Sequence, residues 1–211
     1  MKYKAILFDL DFTLYDECQF FNAAVISSRI FDNAQDVISK ITYRLRINSD
    51  NIINDLLNLE DKLNEKNKNH LFSIMKKMDL KFECYRGIKE MLSEFKTNIS
   101  TKTAIVTNGV PEIQKNKLQQ LDIENCLDQV IFAKELNSEK PNHFPFEEAL
   151  SQLSVNAETT LFVGDHPVND IKPANELGMD TLWIDHLDKN NIVSTYRITD
   201  ANNLSDTIAY L

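Results

Sequence analysis

The chain has 211 residues, 43% of them hydrophobic and 26% charged, which is ordinary for a folded globular protein. Its 32 acidic and 23 basic side chains give a formal net charge of −9 at pH 7. This balance disfavours nucleic acid and membrane surfaces as partners, because both attract basic patches. No run of the sequence approaches the roughly 18 apolar residues of a membrane span.

The cysteines indicate a reducing compartment. Cys18, Cys84 and Cys126 are odd in number, widely spaced and without a Cys-x-x-Cys pair. A disulfide framework or a zinc knuckle is therefore not expected. With no secretory leader recognised at the N-terminus, we expect a cytoplasmic protein.

The N-terminal part of the chain combines one strand with a helical segment. Residues 4–8 form a nearly continuous apolar run, which is typical of a parallel strand covered on both faces. Apolar stripes of helical period then follow at 20–26, 37–45, 52–63 and 71–78, with a polar break at 64–70. We therefore predict a helical cap of about four helices over residues 17–83.

The rest of the chain alternates strands with helices. Strands are predicted at 103–106, 130–132, 160–163, 181–184 and 195–198, and Pro111 opens one of the intervening helices. This alternation predicts an α/β fold with a doubly wound, Rossmann-like parallel sheet. The core domain is predicted to comprise residues 1–16 and 84–211, with the helical cap inserted between them.

Chemically active side chains follow the predicted strand ends. They are the residues Asp9, Asp11, Thr107, Asn108, Lys140, Asp165 and Asp170. Because parallel strands share one carboxyl edge, these side chains are expected to meet there. Carboxylate oxygens suit Mg²⁺, while a lysine, a hydroxyl and backbone amides suit phosphate oxygens.

Four motifs, taken together, resemble the haloacid dehalogenase-like hydrolase superfamily. In chain order they are Asp9-x-Asp11-x-Thr13, the strand-terminal Thr107, Lys140 before a proline, and Gly164-Asp165 followed by Asp170. The resemblance covers nearly the whole chain. A helical insert between the first two motifs resembles the cap of the first subfamily.

The resemblance implies separate roles for the two N-terminal aspartates. Asp9 is the expected nucleophile, which forms an aspartyl-phosphate. Asp11 is the expected general acid and base, and both residues are expected to contact the metal, Asp11 through its backbone carbonyl. Relatives that cleave carbon–halogen bonds lack this second aspartate, so its presence favours phosphate esters.

The remaining motif residues are implied to hold the phosphoryl group and its Mg²⁺. Thr107 and the backbone amides around Asn108 are expected to bind phosphoryl oxygens. Lys140 is expected both to bind phosphate and to act in catalysis by neutralising charge. Asp165 is expected to ligate Mg²⁺ directly, and Asp170 to ligate it through water or to orient its ligands.

The leading hypothesis is a Mg²⁺-dependent phosphatase for a small phosphorylated metabolite, such as a nucleoside monophosphate or a sugar phosphate. One alternative is a phosphomutase of the β-phosphoglucomutase type, and another is a non-catalytic module that binds phosphorylated ligands. In the cap, the polar residues Arg44, Arg46, His70 and Lys76 have no diagnostic spacing, and each is expected on a solvated face. Neither the substrate nor the oligomeric state follows from the sequence.

Overall fold

A parallel sheet forms the centre of the computed structural model, which describes residues 2–49, 51–97, 101–189 and 192–211. Its strands are β1 (Ala5–Phe8), β2 (Lys102–Thr107), β3 (Gln129–Phe132), β4 (Thr160–Gly164), β5 (Asp180–Ile184) and β6 (Tyr196–Ile198). They are all parallel and lie in the order β3-β2-β1-β4-β5-β6. The strand order therefore reverses between β1 and β4, which is where ligands bind in open α/β sheets.

Helices form the cap and cover both faces of the sheet. Those of the cap are α1 (Cys18–Ser28), α2 (Ala34–Lys40), α3 (Tyr43–Ile47), α4 (Ile52–Asn58) and α5 (Glu65–Lys77). Those of the core are α6 (Ile88–Thr97), α7 (Pro111–Leu121), α8 (Phe144–Leu153), α9 (Lys172–Glu176) and α10 (Leu204–Ala209). The predicted doubly wound sheet with an inserted helical cap is confirmed.

The apolar run of β1 supplies both hydrophobic layers of the core. Ile6 and Phe8 point to the layer that continues into the cap, whereas Ala5 and Leu7 point to the layer beneath α8. All four side chains are fully buried. This two-sided burial explains why the strand shows no alternation of polar and apolar residues.

The cap has more helices than expected. One helix was predicted over 37–45, but within the described residues the chain ends α2 and begins α3 there, because Thr42 Oγ1 accepts a hydrogen bond from Leu45 N at 3.2 Å. The polar break predicted at 64–70 was also wrong. Asn64 caps α5, accepting from Asn67 N at 2.9 Å, so this polar stretch forms the first turns of a helix.

The chain leaves the core and returns to it through two adjacent segments. The Gln19 side chain donates to the Glu83 carbonyl and accepts from the Glu83 amide, both at 3.0 Å. The same two segments are joined by a backbone hydrogen bond, in which Tyr85 N donates to Leu14 O at 2.9 Å. These bonds hold the two connections of the cap side by side.

Two further observations concern the cysteines and the apolar character of the helices. Cys18, Cys84 and Cys126 are all free thiols. Among the residues that the structure describes, no helix combines the length and apolar character needed to cross a bilayer.

Phe146→Ala is expected to lower the free energy of unfolding by about 3–5 kcal/mol, because it empties a ring-sized volume in the layer beneath α8. Phe146 is fully buried, and its ring centroid lies 4.9 Å from that of Phe162. Phe144 begins the same helix but is 48% exposed, so Phe144→Ala is the matched control, with a loss below about 1 kcal/mol. Urea unfolding of both variants checks this, and equal losses would contradict it.

Candidate active site

The strand ends bring the predicted site residues together at the carboxyl edge of the sheet. Asp9 follows β1, Thr107 ends β2 and Asp165 follows β4. Lys140 lies shortly before α8, and Asp170 lies in a π-helical turn after β4 (Pro167–Ile171). All five of these polar side chains are buried. Burial of this many ionisable groups requires partners for each charge.

Lys140 is the central charge of this cluster. Its Nζ lies 2.6 Å from Asp9 Oδ1 and 2.6 Å from Asp170 Oδ1. The backbone of Lys140 is fixed in turn by Asn108, whose side chain donates to Lys140 O at 2.8 Å and accepts from Lys140 N at 2.7 Å. Asn108 therefore positions the lysine, a contact that the motif pattern does not predict.

Asp9, Asp165 and Asp170 form a group of carboxylates suited to a metal ion. One oxygen from each lies within 4.8 Å of the others. Burial, together with the neighbouring carboxylates, raises the pKa of Asp9 to about 7. The same causes raise the pKa of Asp165 well above its usual value. One lysine is too little positive charge for three buried acids, so the oxygen donors fit a hard divalent cation such as Mg²⁺.

The turn that carries Asp170 is shaped by two close contacts. Asp170 Oδ2 accepts a hydrogen bond from His166 N at 3.0 Å, while His166 Nδ1 accepts from the backbone amides of Val168 and Asn169 at 3.2 and 3.1 Å. A Cβ at Gly164 would lie 2.7 Å from the Asp170 side chain, so only glycine allows this approach. His166 thus stabilises this turn through hydrogen bonds of its backbone amide and its ring.

The Asp11 side chain lies outside the three-carboxylate group and is held from the other side. Its Oδ1 accepts from Lys117 Nζ at 2.7 Å and from Tyr15 Oη at 2.9 Å, and its Oδ2 accepts from Gln114 Nε2 at 2.9 Å. Burial alone would raise the pKa of Asp11, but the Lys117 charge and these hydrogen bonds hold it below its usual value. The metal contact expected of its backbone carbonyl stays a prediction.

Gln114 also connects Asp11 to Thr107. Its Nε2 donates to Thr107 Oγ1 at 2.6 Å as well as to Asp11. The contact depends on Gly109, where a Cβ would lie 2.3 Å from the Gln114 side chain. Thr107 is therefore oriented by a residue seven positions later, on the first turns of α7.

A chain of ion pairs extends from Asp11 into the cap. Lys117 Nζ also lies 2.7 Å from Glu17 Oε1, and Glu17 Oε2 lies 3.0 Å from Arg46 Nε. Motif spacing gives no signal for these three residues. The only sequence cue for Lys117 is that it lies eight residues after Gly109 of the Thr107-Asn108-Gly109 segment and thus on the helix that follows.

The expectation of a solvated face was wrong for Arg46. Its side chain lines the cavity beneath the cap and pairs with Glu17. Arg44, His70 and Lys76 are exposed, as expected. Arg46 differs because it lies on the face of α3 that also carries Tyr43 and Ile47, and all three residues line this cavity.

Aromatic side chains and a hydrogen bond hold α3 beside Asp165. Tyr43 Oη donates to Asp165 O at 3.3 Å, and Trp183 Nε1 donates to the same carbonyl at 3.0 Å. The Tyr43 ring centroid lies 5.0 Å from that of Phe12 and 4.5 Å from that of His186. The cap therefore contacts the backbone of a proposed metal ligand directly.

Two adjoining cavities lie between the cap and the sheet edge. One, of about 290 Å³, contains Asp9, Lys140 and Asp165 in its walls. The other, of about 410 Å³, extends past Asp11 beneath the cap. The first has charges that suit a metal ion with a phosphoryl group, and the second adjoins it, with Asp11, Glu17 and Arg46 in the walls of both.

The fold and these four motif segments are those of the haloacid dehalogenase-like hydrolases, and the chain belongs to this family. The family model of that description matches residues 6–184. Among curated relatives, glyceraldehyde 3-phosphate phosphatase of Methanocaldococcus jannaschii is 30% identical over 206 residues, covering 86% of this chain and 84% of the relative.

Solved structures share the fold over the full length. The HAD-hydrolase YfnB of Bacillus subtilis, described as bound to magnesium, superposes with a TM-score of 0.69 at 20% identity, covering 99% of this chain and 100% of that one. A predicted phosphoglycolate phosphatase of Haemophilus somnus gives a TM-score of 0.72 at 20% identity, covering 99% of each chain. At this identity the likeness concerns the fold alone.

Asp9→Asn is expected to stabilise the metal-free protein, and more so as the pH rises. Because folding raises the Asp9 pKa from 3.8 to about 7, the folded state keeps a proton that the unfolded chain releases in this window. Stability contributed by this group therefore falls as the pH rises through the window. The gain from asparagine should be small near pH 4 and reach up to about 4 kcal/mol above pH 7.

Urea unfolding in EDTA across this pH range measures the effect. Adding Mg²⁺ at pH 8 should then stabilise the wild type more than the variant, because the variant lacks one of the three carboxylates. If the increase in the free energy of unfolding does not depend on pH, the raised pKa of Asp9 is contradicted.

Proposed function

We propose that the chain is a Mg²⁺-dependent phosphatase that hydrolyses a small phosphomonoester through an aspartyl-phosphate on Asp9. The carrying observation is the contrast between Asp9 and Asp11. Asp9 belongs to the carboxylate group around Lys140, whereas Asp11 is held away from it by Lys117 and Gln114. Two aspartates that face such different partners suit two different roles in one reaction.

The first step transfers the phosphoryl group to Asp9. Asp9 attacks the phosphorus atom, and Lys140 together with Thr107 holds the phosphoryl oxygens. The dianionic substrate raises the Asp11 pKa, because nearby like charges disfavour the ionised form. Asp11 then donates a proton to the departing alkoxide, so that the substrate leaves as an alcohol.

The second step regenerates the enzyme. Asp11, now ionised beside Lys117, takes a proton from a water molecule, which attacks the phosphorus atom of the aspartyl-phosphate. The bond between phosphorus and the Asp9 oxygen breaks, and inorganic phosphate leaves. Lys117 and Gln114 keep the Asp11 carboxylate directed at the same point in both steps.

Asp9, Asp165 and Asp170 would hold the Mg²⁺. The ion supplies positive charge that lets these acids and the phosphoryl group coexist in a buried site. Support for the metal comes from the oxygen donor set and from the raised pKa values of Asp9 and Asp165. A structural relative bound to magnesium supports the same choice of ion.

Asp9→Asn is expected to lower the turnover of p-nitrophenyl phosphate by about 10³-fold or more, because it removes the nucleophile. Release of p-nitrophenolate with Mg²⁺ present measures this. The urea unfolding curve of the same variant is the control, since a cooperative transition at a urea concentration no lower than that of the wild type in EDTA excludes loss of the fold. Retained activity in the folded variant would contradict the mechanism.

The other functions considered from the sequence give different products in a parallel assay. With a hexose 1-phosphate, a phosphatase releases inorganic phosphate, whereas a phosphomutase yields the isomerised sugar phosphate. A non-catalytic module would release nothing from a broad panel of phosphomonoesters. Phosphatase relatives such as the one from Methanocaldococcus jannaschii support the first outcome.

Asp11→Asn is expected to separate the two steps. p-Nitrophenolate leaves without a proton, so a first turnover should still give a burst of product equal to the enzyme concentration. Steady-state turnover should then fall by about 10²–10⁴-fold, because no base activates the water. An alkyl phosphate should give no burst. Rapid-mixing absorbance measures the burst, and its absence with p-nitrophenyl phosphate would contradict the role of Asp11.

A further inference from the structure

The second cavity, beyond Asp11, has walls that suit an uncharged group with an apolar face. Ile52 of α4 and Phe72 of α5 line it from the cap, and Val110, just before α7, lines it from the core. These apolar side chains are only partly buried. Neutral hydrogen-bonding groups, among them Asn51 and Gln114, also line it, beside the charged side chains of Asp11, Glu17, Arg46, Lys117, Lys134 and Glu139.

Each lysine or arginine in the described walls of the two cavities already pairs with a carboxylate. Arg46 pairs with Glu17, and Lys117 lies between Glu17 and Asp11. Lys140 lies between Asp9 and Asp170. At the mouth, Lys134 Nζ lies 3.9 Å from Glu139 Oε2. No cation in the described walls is left without a carboxylate partner for a second anionic group of a substrate.

The net charge of the cavity walls also disfavours a second anionic group on the substrate. The carboxylates lining the two cavities are Asp9, Asp11, Glu17, Glu139, Asp165 and Asp170, and the cations are Arg46, Lys117, Lys134 and Lys140. These described walls are therefore net negative by two formal charges. A divalent cation neutralises them, and the phosphoryl dianion restores the negative balance. Any further anionic group then meets a repulsive field.

We infer that the substrate is the phosphomonoester of an uncharged alcohol with an apolar face, and not a bisphosphate or a phosphorylated acid. The inference rests on the proposed phosphatase function and adds the chemistry of the leaving group. Glu17 is the residue that imposes this selectivity. As one buried carboxylate, it occupies both Arg46 and Lys117, so neither cation is free to bind an anion.

Competitive inhibition of p-nitrophenyl phosphate hydrolysis tests this with matched compounds at constant free Mg²⁺. Glyceraldehyde 3-phosphate and 3-phosphoglycerate differ in an aldehyde against a carboxylate, and fructose 6-phosphate and fructose 1,6-bisphosphate differ in a second phosphate. In each pair, the compound without the second anionic group should have an inhibition constant at least about tenfold lower than that of its partner. Equal or reversed inhibition constants would overturn the inference.

In Glu17→Gln protein, the ratio of the two inhibition constants in each pair should fall by about tenfold. The reason is that Arg46 is then free to bind the additional anion. The matched control is Glu112→Gln. Glu112 lies on α7 and pairs with Lys76 of the cap at 3.8 Å, but it is exposed and outside both cavities. Its removal should change the ratio of inhibition constants by less than about twofold. An unchanged ratio in folded Glu17→Gln protein would overturn the role of Glu17.

The reporter reaction keeps the two proposals apart. If the wild type with Mg²⁺ does not hydrolyse p-nitrophenyl phosphate, the phosphatase proposal fails and the inference about the leaving group fails with it. If hydrolysis occurs but the matched compounds bind equally, only the inference about the leaving group fails. For Glu17→Gln, the wild-type ratio remains decisive even when the variant does not fold.

Discussion

The active site depends on one buried ammonium group that holds apart two carboxylates. Lys140 lies 2.6 Å from both Asp9 and Asp170, and Asn108 fixes its backbone. Removal of Lys140 would leave two buried carboxylates without a compensating charge, which is strongly destabilising. The lysine therefore has a structural task, since without it the Asp9 and Asp170 carboxylates would repel each other.

The fold could be predicted from the sequence because its signals are local. The apolar run of β1 and the alternation of strands with helices identify a parallel sheet without knowledge of any distant contact. The cap was predicted less well, because its helices are short and their boundaries depend on single capping side chains. Thr42 and Asn64 decide where α3 and α5 begin, and neither disturbs the apolar periodicity from which helices are recognised.

In the candidate site, too, some residues could be predicted from the sequence and others could not. The residues at strand ends could be predicted because the topology of a parallel sheet brings them to one edge. The residues that orient them, Lys117, Gln114 and Glu17, could not be predicted, since their role depends on the direction in which helix side chains point. The charges of Glu17 and Lys117 are 100 positions apart in the chain and meet only through tertiary packing. The same contact supports both the position of Asp11 and the pairing of Lys117 and Arg46 with one carboxylate beneath the cap.

The central position of β1 has a consequence for the order of assembly. This strand comes first in the chain, yet its two neighbours pair with Ala5 through Lys102 and Thr160. Pairings so distant in sequence are slow to form, because a long loop must close before they contribute stability. Since Asp165 and Asp170 follow β4, the group of three carboxylates is complete only after residue 170 has been made, late in the synthesis of the chain.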